Sequence, residues 1–239
     1  MGSILEALSP EQQIACSTQN NILLTACPGS GKTRTLTHRL AYQVLRDPAS
    51  KKIKIAITYT NRAAEEITNR LEGMNIDQSS IWAGTIHQFC MHFIIRPYAM
   101  YSKRLCKGYR IIDDYSKKAY GREIAERLGM HLNYYDDPFQ YENVREEYKR
   151  VLKEKKEIDF DAILLISEEL LASCAFIGSN IASVISSILV DEFQDTNELQ
   201  YSILSTIYKA NKSIILMFVG DVNQAIYSSL GGVAKGKKE

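Results

Sequence analysis

Ala26-Cys27-Pro28-Gly29-Ser30-Gly31-Lys32-Thr33 follows a short apolar run, residues 21–25 (NILLT), and precedes a stretch of helix-forming residues. A glycine-rich turn between a buried strand and a helix lets successive backbone N–H groups converge, with the positive end of the helix dipole behind them. The run matches G-x-x-x-x-G-K-[ST] except that Ala26 stands where the first glycine would be. Pro28, Gly29, Ser30, Gly31, Lys32 and Thr33 are therefore candidate nucleotide-binding residues. Lys32 would reach the β/γ-phosphates and the Thr33 hydroxyl would ligate Mg²⁺. The bland alternative is a structural glycine turn.

The rest of the chain supplies the context that this loop needs. Ser9-Pro10-Glu11-Gln12 combines a capping serine, a proline at the first helical position and a glutamine three residues on, which predicts a helix running to about Ser17. Residues 53–59, 81–85, 186–190 and 213–219 read as further strands, with helices over 60–71 and 86–99. Buried strands alternating with helices predict an α/β fold, a parallel sheet with helices on both faces and ligands at the carboxyl ends of the strands. Between about 100 and 187 the pattern turns helical, most clearly over 117–128, 143–155 and 161–171. That stretch is dense in charge and holds most of the tyrosines. It reads as an inserted helical subdomain, either a solvated scaffold with tyrosines at its joints or one wall of a nucleic-acid groove. The expected division is 1–99 and 188–232 for the core, 100–187 for the insertion and 233–239 for a flexible tail.

Composition narrows the class without choosing a partner. With 239 residues, 45% hydrophobic and 24% charged, the chain has an ordinary globular balance. Disordered, collagen-like and small disulfide-framework architectures are excluded. Cys16, Cys27, Cys90, Cys106 and Cys174 form no C-x-x-C pair, and their odd number suggests neither a zinc site nor a disulfide framework. No apolar run approaches the roughly 20 residues needed to span a bilayer, and residues 1–10 lack the features of a signal peptide. A cytoplasmic setting without membrane contact is expected, nuclear if the source is eukaryotic. A net charge of +1 decides nothing, because a nucleic-acid groove needs only a local basic patch.

Ile188-Leu189-Val190-Asp191-Glu192 reads as a buried strand ending in two carboxylates at the same sheet edge as the glycine loop. Asp191 suits a second Mg²⁺ contact and Glu192 a base that orients or deprotonates an attacking water. A helix-capping acidic pair is the alternative for these two alone. Tyr59 and Tyr227 lie at or just past strand ends, where an exposed ring stacks on a base at roughly 1–3 kcal/mol without reading sequence. Singly, each is as easily a core or rim residue. His87, at a helix start, either binds phosphate or caps and packs.

Taken together, these segments resemble the UvrD/Rep-type superfamily 1 DNA helicases, in the family order from residue 8 to 228. Leu8-Ser9-Pro10-Glu11-Gln12 is similar to the Q motif, which implies Gln12 as adenine reader, and Arg34 matches an arginine that packs on the adenine. Thr58-Tyr59-Thr60-Asn61-Arg62-Ala63-Ala64 resembles motif Ia and Gly84-Thr85-Ile86-His87-Gln88-Phe89 motif Ib, implying Tyr59, Thr60, Asn61 and His87 as single-strand contacts. Ile158-Asp159-Phe160-Asp161 resembles a segment where the insertion returns to the core. Residues 190–197 with Gln200 look like motif II, and residues 219–228 like motif III, implying Gln224 as γ-phosphate sensor linked to the strand-binding Tyr227.

The resemblance implies a RecA-like domain 1A with a helical domain 1B. It also implies ATP with Mg²⁺, single-stranded DNA as partner, and 3′-to-5′ translocation with unwinding in the intact enzyme. Two departures qualify it. Ser229 and Leu230 stand where motif III would continue with an aromatic and an arginine. The sequence also ends soon after motif III, so transition-state arginines are expected from a second RecA-like domain, in a missing C-terminal half or a partner chain, and turnover by this chain alone should be poor. The competing reading is a nucleotide-responsive DNA-binding subunit of an anti-phage defence or recombination complex that regulates a nuclease or repair partner. A phosphate-loop kinase would explain the loop and leave motifs Ia, Ib and III unexplained.

Overall fold

The structure, a computed structural model, describes residues 2–27, 29–133 and 135–221. It divides into two compact units, one running through Phe89 and resuming at Cys174, the other spanning Cys90–Ser173. The first begins with α1 (Gly2–Leu5), α2 (Pro10–Ser17), β1 (Ile22–Thr25), α3 (Lys32–Arg46), β2 (Ile53–Thr58), α4 (Asn61–Gly73), β3 (Ile81–Thr85) and α5 (Ile86–Phe89). The second holds a π-helical stretch (Cys90–Ile95), α6 (Arg96–Tyr98), β4 (Arg110–Ile111), α7 (Asp114–Arg127), α8 (Glu142–Lys155), β5 (Glu157–Ile158) and α9 (Phe160–Ser173). The chain then returns to the first unit with α10 (Ala175–Val184), β6 (Ile185–Val190), α11 (Glu198–Ala210) and β7 (Ile215–Gly220).

The first unit is an α/β domain built on a five-stranded sheet of order β1-β7-β6-β2-β3, parallel throughout. Strands β2 and β6 lie inside the sheet and are buried along nearly their whole length, Lys54 of β2 and Ser187 of β6 included, so their sequences are mostly apolar without strict alternation. At the edge, β1 alternates, and Leu23 faces outward. On one face Ala56, Leu189, Met217 and Val219 pack with Leu36, Leu40 and Ala41 of α3 and Ile67 and Leu71 of α4. Leu36, Leu40 and Val44 recur at four-residue spacing, so α3 presents one apolar stripe to the sheet. Ile57 and Val190 alternate to the opposite face, where they line one groove with Leu204 of α11, and α10 packs on α11.

In the second unit, α7 and α8 enclose Ile112, Ile124, Ala125, Val144, Tyr148, Val151 and Leu152. Helix α7 starts three residues before the sequence pattern suggests, because the Asp113 carboxylate accepts from Ser116 N at 2.8 Å and caps it. A short parallel pair, β4 with β5, joins this otherwise helical unit. It is too brief for any periodicity to show.

The unit boundaries fall at 89/90 and 173/174 rather than at the expected 99/100 and 187/188. Composition shifts at about residue 100, but packing partners change earlier. The apolar Cys90–Ile95 stretch, with Phe93, Ile94 and Ile95 buried, contacts α9 of the second unit. Helix α10, which the sequence pattern leaves inside the insertion, belongs with α11. Among the described residues no helix is long and apolar enough to cross a membrane, no cluster of metal-ligating side chains of three or more occurs, and none of the five cysteines is in a disulfide. The expected tail, 233–239, lies outside the described residues.

Leu40 is wholly buried between α3 and the sheet. Leu40→Ala should destabilise the chain by about 2–5 kcal/mol, read as a lower urea midpoint with an unchanged slope.

Candidate nucleotide and strand-binding site

The glycine loop turns through two left-handed residues, Gly29 at φ 78° and Gly31 at φ 84°. The second leads directly into α3, whose start has no side-chain cap. The first N–H groups of the helix therefore keep their hydrogen-bonding capacity for an anion. Ala26 shows no positive φ and donates its N–H to the Gly220 carbonyl at 3.2 Å. Nothing in that geometry needs the glycine that the motif would place there. Lys32 is buried, and its Nζ donates to the Ala26 carbonyl at 3.3 Å, which holds the ammonium across the loop.

The Thr33 hydroxyl donates to Asp191 Oδ2 at 2.8 Å across 158 residues of sequence. Asp191 N donates to the Ile57 carbonyl at 2.8 Å, so the carboxylate is fixed by the sheet itself. Burial pushes the Asp191 carboxyl above its usual range, opposed by the Thr33 hydrogen bond and reinforced by the charge of Glu192. A hydroxyl and a carboxylate oxygen at this separation form a hard-oxygen pair of the kind Mg²⁺ takes alongside phosphate oxygens.

Glu192 occupies the left-handed region at φ 51°, uncommon for a residue with a side chain. Its N–H donates to Asp191 Oδ1 at 3.1 Å, and its Oε2 accepts from Gln194 Nε2 at 2.8 Å. Gln194 is buried, and its Oε1 accepts from Asp221 N at 3.1 Å, so one amide joins the Glu192 carboxylate to the end of β7. A Cβ on Gly220 would lie 2.3 Å from that Oε1. The motif-II resemblance over residues 190–197 includes Gln194 and implies no role for it; its place two residues past Glu192 is the one signal in the sequence. Asp195 has its carboxyl pushed up by burial and by Glu192.

Gln12 closes the other side of the loop. Its Nε2 donates to the Ser30 carbonyl at 3.1 Å, while its Oε1 accepts from Ser9 N at 3.0 Å in the expected capping box. Arg34 is exposed at the start of α3 and donates to the Ala7 carbonyl at 2.9 Å, beside the same segment.

A groove opens at the carboxyl ends of β2, β3 and β6 and against α11, lined among others by Tyr59, Thr85, His87, Asp191, Glu192 and Asp195. Tyr59 is 67% exposed at its rim. Asn61 and Thr60 are also exposed, and the Thr60 side chain caps α4 by accepting from Ala63 N at 3.1 Å. The helix that follows β3 is capped by Thr85 and Gln88 rather than by His87. Pro28, Gln224 and Tyr227 lie outside the described residues.

A left-handed glycine loop, an uncapped helix start and a Thr–Asp pair at one edge of a parallel sheet define a phosphate-loop domain. The chain belongs to the AAA_19 family, an AAA domain, whose model matches residues 11–230. It is 28% identical to DNA helicase II of Escherichia coli (strain K12) over 257 residues, which is 95% of this chain and 35% of that protein. Against the ATP-dependent DNA helicase PcrA of Leuconostoc citreum it is 28% identical over 245 residues, 90% of this chain and 32% of the relative. PcrA of Staphylococcus aureus (strain Mu50) gives 27% over 261 residues, 97% and 35%. The chain thus spans about a third of the length of the relatives it matches, and corresponds to the N-terminal region of a UvrD-type superfamily 1 helicase.

Gly220→Ala should lower stability by about 1–3 kcal/mol in urea titration, because the added methyl has to displace Gln194. Gly73→Ala, whose Cβ would meet nothing within 4 Å, should leave the midpoint unchanged or slightly raised.

Proposed function

We propose that this chain is the ATP-binding motor half of a UvrD-like DNA helicase, with the first unit as domain 1A, the second as domain 1B, and cytoplasmic placement. The observation that carries the reading is the groove that holds Glu192 and Asp191 together with Tyr59 and His87. Hydrolysis chemistry and strand contact share one cleft at the sheet edge.

In this reading Lys32 and the α3 amides bind the phosphates, while Gln12 and Arg34 take the adenine. Thr33 and Asp191 would hold Mg²⁺, which when bound would supply positive charge against the phosphates. Water attacks the γ-phosphorus as the bond to the bridging oxygen of ADP breaks, and Glu192 takes the proton of the attacking water. Gln194 keeps the Glu192 carboxylate turned toward that water. Gln224 senses the γ-phosphate, and Tyr227, three residues on, passes the change to single-stranded DNA held by Tyr59, Thr60, Asn61 and His87. Arginines that neutralise the transition state come from a second RecA-like domain, in a longer chain or a partner. Alternation between ATP-closed and ADP-open states then drives 3′-to-5′ translocation and unwinding.

The test is binding of a nonhydrolysable ATP analogue together with ATP hydrolysis, each with and without single-stranded DNA. Binding with very low turnover is expected; robust DNA-stimulated turnover by this chain would overturn the assignment of those arginines to a second domain. Lys32→Ala should abolish analogue binding while circular dichroism stays unchanged, and retained affinity would refute the phosphate-loop assignment. Tyr59→Ala should weaken single-strand binding by about 1–3 kcal/mol in fluorescence anisotropy while ATP affinity holds; equal loss of both would mean a packing role.

A further inference from the structure

Arg39 is the largest wholly buried side chain among the described residues, with no solvent exposure. It makes no ion pair among those residues. Instead Nη1 donates to the Ala15 carbonyl and Nη2 to the Asn20 carbonyl, the latter at 3.1 Å, and Nε has no hydrogen-bond partner. Burial lowers its pKa to about 10, so it remains a cation at neutral pH. Burying an uncompensated charge is expensive, and an apolar residue would fill the same volume without that penalty.

The Ala15 carbonyl belongs to the last turn of α2, where carbonyls lack helical partners and the helix dipole presents its negative end. Arg39 therefore caps α2 from α3. A helix of eight residues is marginal by itself and takes its place from its anchors. The other end of α2 carries the Ser9–Gln12 capping box, and Gln12 lies one turn from Ala15. Gln12 in turn touches the phosphate loop at Ser30, and a Cβ on Gly31 would sit 3.1 Å from its amide nitrogen. The Cys16 thiol adds a second tie, donating to the Thr35 carbonyl at 3.4 Å. Arg39 thus fixes the separation between the helix that reads the base and the helix whose first turn binds the phosphates.

We infer that Arg39 is a positioning residue that sets the base selectivity of the nucleotide site by holding α2, and with it Gln12, against the phosphate loop. The inference rests on the proposed adenine reading by Gln12. Without Arg39 the phosphate contacts of α3 persist, while the amide of Gln12 loses its fixed distance from them.

The experiment compares wild type, Arg39→Lys, Arg39→Met, Gln12→Ala and Leu40→Ala for affinity toward ATP, GTP and inorganic tripolyphosphate by calorimetry, with melting curves alongside. Arg39→Lys should weaken ATP about tenfold, leave tripolyphosphate within about twofold and bring the ATP:GTP ratio toward that of Gln12→Ala. Adding Arg39→Lys to Gln12→Ala should remove little further selectivity, since both act on one contact. Leu40→Ala, equally buried on the same helix, should lower the melting temperature and leave the ratio intact. A folded Arg39→Lys with the wild-type ATP:GTP ratio, or with parallel loss of ATP and tripolyphosphate, overturns the inference; if Arg39→Met does not fold, Arg39→Lys decides. Failure of the wild type to bind tripolyphosphate would instead overturn the phosphate-loop reading, and binding without preference for ATP would overturn the reading of Gln12.

Discussion

The parallel ladder of β1, β7, β6, β2 and β3 is the constraint on which the site depends. Because all five strands run one way, every loop that carries chemistry leaves the sheet at the same edge. Residues far apart in sequence meet there through backbone register alone: Asp191 N on the Ile57 carbonyl, Ala26 N on the Gly220 carbonyl. The Thr33–Asp191 hydrogen bond follows from that register and from the helix that begins at Lys32. Strand β7 lies between the strand that leads to the glycine loop and the strand that ends in the carboxylates. Its end at Gly220 is therefore in reach of both, and Gln194 uses that proximity.

The site is assembled against local preference. Burial pushes the Asp191 carboxyl above its usual range, and Glu192 sits in a left-handed conformation that stores of order 1–3 kcal/mol of strain. Two hydrogen bonds, from Glu192 N to Asp191 and from Gln194 to Glu192, hold that arrangement in place. A buried core on one face of the sheet and α10 with α11 on the other supply the stability that lets such a corner persist. Around the loop the same logic recurs at smaller scale. Three short ties, Gln12 to Ser30, Arg34 to Ala7 and Arg39 to Ala15, make α2 an extension of α3 rather than an independent element.

Much of this was legible in the sequence because it is written in local rules. The capping box at Ser9, the glycine loop, the largely apolar strands β2 and β6 and the carboxylates at a strand end each follow from short-range chemistry. The insertion was also visible as a change from strand-helix alternation to helices. The compact units divide earlier at both ends, at 89/90 and 173/174, since a helix joins the unit on which it packs, and neither Cys90–Ile95 nor α10 advertises its partner in its own composition. The two-residue pair β4 and β5 left no periodic signal at all.

The sequence by itself determined the class of sheet, the order of its elements and the residue types that could hold a triphosphate, because strand burial, glycine conformation and capping are properties of a few adjacent residues. Tertiary structure alone decided that Gln194 would bridge Glu192 to the end of β7, that Ala26 needs no glycine, and that a fully buried Arg39 would cap α2 from a neighbouring helix. These are contacts between segments up to 27 residues apart in the first case and 24 in the last. No periodicity encodes them, since each depends on where the sheet register and the packing of α2 on α3 bring two backbones together.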